Sequence, residues 1–367
     1  MQFTHRFTLV ICILLGTALH LNSQVAEFPA NDPNIFVMGR TLENASGHLE
    51  FDWPGVTIET GFTGTSCTIK MEDTKENYYN IFIDDQAVKV VSVMGNTDLR
   101  IAQNLPDGDH TLKIVKRTEG KEGKATFKSI VLDDNASLKK LDAGYKHKIE
   151  FIGNSITCGY GIEGKNKEED FLAVTENNYK SYAQIIARAF NSEYHVIAHS
   201  GQGVVRNYGD ENLTSEYTMP DRYKQVFDEE KEPLWDFTNW KPDMVVINLG
   251  TDDFSTEPHP IETVFNRKYT HLVKFIREQY GEIPVFCIVG PMIDEPCYSY
   301  VKKMVEANRT HLDDPNTYFI GIPTYLMIDD KDLGSNWHPN YEGQKKMANL
   351  LVPVISSVTG WEYGEIK

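Results

Sequence analysis

A change of rhythm near residue 149 constrains this chain more than any other feature of its sequence. Before it, from Phe28 to Ala136, short apolar–polar alternations recur. They are Val56-Thr-Ile-Glu-Thr60, Cys67-Thr-Ile-Lys-Met71, Tyr79-Asn-Ile-Phe-Ile83, Thr111-Leu-Lys-Ile-Val115 and Thr126-Phe-Lys-Ser-Ile-Val-Leu132. A period of two buries one face of a strand. Asp84-Asp85, Gly95-Asn96 and Pro106-Asp-Gly108 punctuate the runs as turns. Strands at this spacing, with no helix between them, predict an antiparallel β-sandwich over residues 25–140.

Residues 135–148 are polar and read as a linker. After them, short apolar runs alternate with helical spacing. Ile149-Glu-Phe-Ile152, Tyr194-His-Val-Ile-Ala198, Met244-Val-Val-Ile-Asn-Leu249, Pro284-Val-Phe-Cys-Ile-Val289 and Tyr318-Phe-Ile-Gly-Ile322 are strands. Tyr182, Ile185, Ile186 and Ala189 lie on one helical face, as do Phe265, Tyr269, Leu272, Val273 and Ile276. Residues 299–312 and a closing segment with Met347, Leu350 and Leu351 are also helical. This alternation predicts a multidomain β plus α/β chain whose second unit, residues 147–367, has a parallel sheet between helical layers. Sites in such sheets form beyond the carboxyl ends of the strands.

Four segments fall on that edge: "GNS" at 153–155, "SGQG" at 200–203, "GTDD" at 250–253 and "NWHP" at 336–339. A serine hydroxyl is a weak nucleophile until a base takes its proton, and an imidazole titrates in the useful range. Ser155 and His338 are therefore the candidate nucleophile and base. A tetrahedral oxyanion needs preorganised donors, for which the backbone N–H groups of Ser155 and Gly201 are candidates. The bland alternative makes Ser155 a helix cap.

The four segments, in order, resemble the four blocks of the SGNH, or GDSL, hydrolase superfamily. With the preceding β-domain and the Trp-His pair, the chain resembles carbohydrate esterase family 2. That resemblance implies a jelly-roll domain joined to a three-layer SGNH domain. It implies a serine carboxylic-ester hydrolase that removes acetyl groups from plant polysaccharides such as xylan and glucomannan, with a preference for primary 6-hydroxyl esters. It implies neither metal nor cofactor, and no cysteine or histidine spacing resembles a zinc site. Trp337, whose flat ring beside the base can stack on a sugar, and Tyr208, which follows the glycine block, are the substrate-binding candidates; the resemblance supports Trp337 in that role.

Three positions depart from the pattern. Asn154 replaces a usual Asp and carries no expected chemistry. Ser335 stands where most members place the Asp that orients the base, so a Ser–His dyad is expected, with a backbone carbonyl holding the imidazole N–H. Asp329, Asp330 and Asp332 are nearby but out of register. Asp252 replaces the oxyanion-hole Asn, and an ionised carboxylate has no proton to donate. It leaves three outcomes open: a slow enzyme on two amides, an enzyme with a neutral Asp252, or a carbohydrate-binding protein. Another SGNH esterase acting on longer acyl chains is the rival enzyme reading.

The remaining signals bound the setting. Residues 1–24 have a charged start, an apolar stretch from Phe7 to Leu19 and a small residue near a cut, which reads as an export signal rather than a span. A mature protein without a membrane span is expected, secreted or periplasmic. The net charge of -17 argues against a nucleic-acid partner. Cys287 and Cys297 are close enough in sequence to bridge, which the sequence leaves open. Cys158, Trp235 and Trp240 read as core, His199 as a packed, hydrogen-bonded histidine and Asp253 as a structural acceptor. Tyr160 fits either core or site.

Overall fold

The structure is a computed structural model that describes residues 25–142 and 144–366. The expected export signal lies outside the described residues. Ten strands make the N-terminal domain: β1 (Ala26–Pro29), β2 (Phe36–Met38), β3 (Leu42–Glu43), β4 (Leu49–Phe51), β5 (Thr57–Thr63), β6 (Cys67–Ile83), β7 (Gln86–Ala102), β8 (Asp109–Lys116), β9 (Ala125–Leu132) and β10 (Leu138–Lys139). They form one curled antiparallel sheet, in the order β10-β5-β8-β6-β9-β4-β3, with β7 on β6, β1 on β9 and β2 on β5. The curl depends on β6. Its first half pairs with β9 and its second half with β8, so one strand serves both sides of the fold. The register slips between Asp73 and Asn77, where the strand bends. Alternate residues Cys67, Ile69, Met71, Tyr79 and Ile81 point into the core.

The sequence reading differs here in two places. Gly95-Asn96 is no turn but lies inside β7, opposite the bend in β6. The polar stretch after residue 135 is not a free linker, because β10 pairs there with β5.

The second domain carries β11 (His147–Gly153), β12 (Ser192–Ala198), β13 (Met244–Asn248), β14 (Val285–Val289) and β15 (Thr317–Gly321), all parallel, in the order β12-β11-β13-β14-β15. The strands are mostly apolar on both faces because both are covered, with Glu150 of β11 and His195 of β12 as buried polar exceptions. Phe151, Val196, Val246 and Phe286 pack with Ile185 of α2 (Tyr182–Ala189) and Leu351 of α7 (Tyr341–Thr359). Ile152, Ile197, Ile247 and Cys287 face the opposite layer, with Leu272 of α4 (Glu262–Tyr280) and Val301 of α5 (Cys297–His311). Three short helices complete the chain: α1 (Ser155–Cys158), α3 (Met219–Arg222) and α6 (Asp329–Asp332). All four described cysteines are free and buried, so Cys287 and Cys297 are not bridged. Trp235 and Trp240 are only half-buried, and Trp240 stacks on His195 at 3.8 Å. Among the described residues no helix is long and apolar enough to cross a membrane.

The two domains share buried polar contacts. Arg40, from the N-terminal domain, is completely buried and donates to the Gln225 carbonyl at 2.8 Å and to Glu150 of β11 at 3.1 Å. Tyr223 donates to the other Glu150 oxygen at 2.7 Å. A buried pair of this kind adds little over apolar packing, but removing one partner strands the other charge. Arg40→Ala is therefore expected to lower unfolding stability by about 3–5 kcal/mol, read as a lower denaturant midpoint.

Candidate active site

Strand β11 ends at Gly153, where a side chain would strike Thr157 at 2.0 Å, so the chain turns tightly into α1. The cap of that helix is Asn154, not Ser155. Its side-chain oxygen accepts from the Ile156 amide at 3.2 Å. Ser155 is thus the first helical residue, with its hydroxyl left for other partners, and it is 8% exposed. Its Oγ lies 2.7 Å from His338 Nε2, across 183 residues of chain.

His338 is held from behind by its own loop. Its Nδ1 sits 2.9 Å from the Asn336 carbonyl oxygen, so Nδ1 carries the proton and Nε2 faces the serine as acceptor. Asn336 and Trp337 both adopt left-handed backbone angles, with φ of 50° and 64°. That strained turn aims the Asn336 carbonyl at the His338 ring two residues further on. Burial pushes the His338 pKa down to about 4, against the pull of the Asn336 and Ser335 carbonyls, so the ring is neutral near neutrality. The nearby carboxylates serve other groups. Asp329 pairs with Lys167 at 2.6 Å, and Asp332 with Lys346 and the Ile328 amide. The Asp330 side chain lies outside the described residues.

The glycine block follows β12. Gly201 has φ of 80°, which only glycine adopts readily. Among the described residues, neither the Ser155 nor the Gly201 amide donates to another protein group. Asp252 comes beside the nucleophile turn, where Asn154 Nδ2 donates to its Oδ2 at 2.9 Å. Asn154, expected to carry no chemistry, therefore caps α1 and fixes Asp252. Burial, and then the charge of Asp253, push the Asp252 pKa up to about 7. Asp253 accepts from the amides of Val204, Val205 and Arg206 at 2.6–3.0 Å, which ties the glycine loop to the β13 end.

The aromatic residues divide. Trp337 is 53% exposed beside His338, with the Lys167 ammonium 4.4 Å from its ring. Tyr208 is 70% exposed and donates its amide to the Gly201 carbonyl at 2.9 Å. Tyr160 belongs to the site rather than to the core. Its ring lies 4.4 Å from that of His338 and stacks on Phe171 at 4.0 Å. Cys158 is buried, and burial raises its thiol well above the usual range. His199 is packed and bonded to Asp228 at 2.7 Å.

A serine hydroxyl against a neutral imidazole, at the carboxyl edge of a parallel sheet and beside two unengaged amides, is the arrangement of an acyl-cleaving serine hydrolase. Residues 37–141 match the family model described as carbohydrate esterase 2 N-terminal, and residues 151–346 match that of the GDSL-like lipase/acylhydrolase family. The chain belongs to the GDSL-like lipase/acylhydrolase family and, through its N-terminal domain, to the carbohydrate esterase 2 branch of it.

Its relatives agree. A cellulase/esterase, CelE, from Acetivibrio thermocellus is 35% identical over 344 residues, covering 90% of this chain; the chain spans 40% of the length of that relative. An acetylxylan esterase/glucomannan deacetylase from Cellvibrio japonicus is 28% identical, covering 93% of this chain and 91% of its own. A solved family two carbohydrate esterase from Clostridium thermocellum, in complex with cellohexaose, superposes with a TM-score of 0.83 at 34% identity, covering 89% of this chain and 99% of its own.

Proposed function

We propose that this protein is an exported carbohydrate O-deacetylase that hydrolyses acetyl esters on plant polysaccharides, with a preference for primary 6-hydroxyl positions. The observation that carries this reading is the 2.7 Å contact between Ser155 Oγ and His338 Nε2 beside the exposed Trp337. Relatives named as acetylxylan esterases and glucomannan deacetylases supply the substrate class.

In this reading Ser155 Oγ bonds to the acetyl carbonyl carbon as its proton passes to His338 Nε2. The Asn336 carbonyl steadies the imidazolium that forms. The oxyanion is met by the Ser155 and Gly201 amides and by the acid proton of neutral Asp252. As the carbonyl re-forms, the bond to the sugar oxygen breaks and His338 returns the proton to that oxygen. A water then attacks the acetyl-serine, giving its proton to His338. Collapse releases acetate and restores the Ser155 hydroxyl.

Trp337 offers a flat ring to a sugar face. Trp337→Ala is expected to raise KM for acetylated oligosaccharides on the order of tenfold with little change in kcat. Steady-state kinetics on acetylated xylan and glucomannan fragments checks this.

Acetate release from acetylated glucomannan and xylan, set against a long-chain ester, tests the function. Acetate from the polysaccharides with slow long-chain hydrolysis supports the reading. The reverse preference points to the other SGNH reading, an acyl esterase with an apolar trough.

A further inference from the structure

Asp253 holds the far part of the loop after β12, at Val204, Val205 and Arg206, but the residue just before Gly201 is held from outside its own domain. The Ser200 amide donates to Glu119 Oε2 at 2.6 Å. Of the neighbouring amides, that of His199 donates to the Gly153 carbonyl at 3.3 Å and that of Gln202 to the His199 carbonyl at 3.4 Å, while the Gly201 carbonyl accepts from Tyr208 at 2.9 Å. Glu119 lies between β8 and β9 in the N-terminal domain, at the lip of a short turn, and is fully buried. A carboxylate is expensive to bury unless it is paired and hydrogen-bonded.

Its surroundings keep it charged. Burial opposes ionisation, but His199, Lys121 and the Ser200 bond outweigh it and hold the Glu119 pKa below its usual value. The Lys121 ammonium sits 2.9 Å from Glu119 Oε1. The same ammonium lies 5.2 Å from the Tyr160 ring and 5.0 Å from that of Phe171, and Tyr160 rests against His338. One pair of N-terminal residues therefore touches both halves of the site, the glycine loop through Glu119 and the base through Lys121 and Tyr160. Cys158 of α1, Glu176 and the His199–Asp228 pair are the other titratable groups facing Glu119.

We propose that Glu119 is a positioning residue for hydrolysis, delivered across the domain boundary to fix the Ser200–Gly201 segment and so the Gly201 N–H that meets the oxyanion. This rests on the esterase reading. The β-domain is then a part of the catalytic machinery rather than an appended module.

Glu119→Gln keeps the shape and an acceptor for the Ser200 amide while removing the charge. Glu119→Ala removes both. The expected result is a kcat about tenfold lower for Gln and on the order of 10² lower for Ala, with KM nearly constant. Glu119 also favours the protonated form of His338. The acid limb of kcat/KM should therefore move to lower pH in both variants, a shift that loosened packing alone does not produce. If Ala does not fold, the near-isosteric Gln still decides. Wild-type acetate release with an unchanged kcat and acid limb in Glu119→Gln overturns the proposal and leaves the esterase reading standing. No acetate release by the wild type removes both.

Discussion

Ser155→Ala is expected to lower kcat for acetyl release by at least ~10⁴-fold, about 5.5 kcal/mol in the barrier, with KM close to wild type. The hydroxyl occupies an almost closed site at the first turn of α1, and alanine fits the same space without disturbing the Asn154 cap. His338→Ala should cost about as much, because a serine without a base has no route for its proton. The double variant should be scarcely worse than either single one, since the pair acts as a unit. Initial rates on an acetylated sugar, with folding checked by circular dichroism, provide the test. A Ser155→Ala variant that keeps a tenth of its activity would remove this hydroxyl from the chemistry. A fully silent wild type that still binds oligosaccharide would return the chain to the binding-protein reading.

Much of this architecture is legible in the sequence, for a physical reason. The five parallel strands are covered on both faces, so each is a mostly apolar run, interrupted by Glu150 in β11 and His195 in β12, and the amphipathic helices between them carry the matching periodicity. Ser155 and His338 are legible because a strand-to-helix bend with glycine before a hydroxyl, and an imidazole before the last helix, leave local signatures. Strand β7 is less legible. It is an edge, bonded only to β6, with most of its side chains in solvent, so its alternation is diluted and Gly95-Asn96 reads as a turn. The group behind His338 is a main-chain carbonyl, which no side-chain identity announces, although the absent Asp at Ser335 signals that one is needed. Glu119 and Lys121 are the least legible. They reach the site through the packing of one domain on another, and no spacing rule links residue 119 to residue 200. Asp252 can be read as a departure, but its charge state depends on burial and on Asn154, which only the folded arrangement supplies.

The substitution Asp252→Asn is expected to convert a bell-shaped pH profile into a plateau. In the wild type, activity falls on the acid side as His338 protonates, around its pKa of about 4. It falls again on the alkaline side as Asp252 ionises, around about 7. Below that value Asp252 is a neutral acid, accepting from Asn154 with one oxygen and free to donate from the other. Above it the proton is gone, and a negative charge faces the oxyanion that must form. The loss of one donor costs on the order of 10²–10³ in rate, so the wild type should sink toward that floor while the Asn variant stays level. Near pH 5 the two should be similar, because each then offers one donor.

Stability supplies an independent reading of the same proton. The folded-state pKa is raised above the ordinary 3.8, so the folded state holds a proton that the unfolded state has lost. Stability is therefore full below about pH 4 and declines as pH climbs to about 7. Asp52, Asp253 and Glu176 are raised too and titrate in both proteins. The difference in melting temperature between Asp252→Asn and wild type isolates residue 252, and it should widen in favour of the variant across that window. An Asn variant that is slower than wild type at pH 8, with no widening of the melting difference, would show that the carboxylate works in its ionised form and that the two amides alone hold the oxyanion.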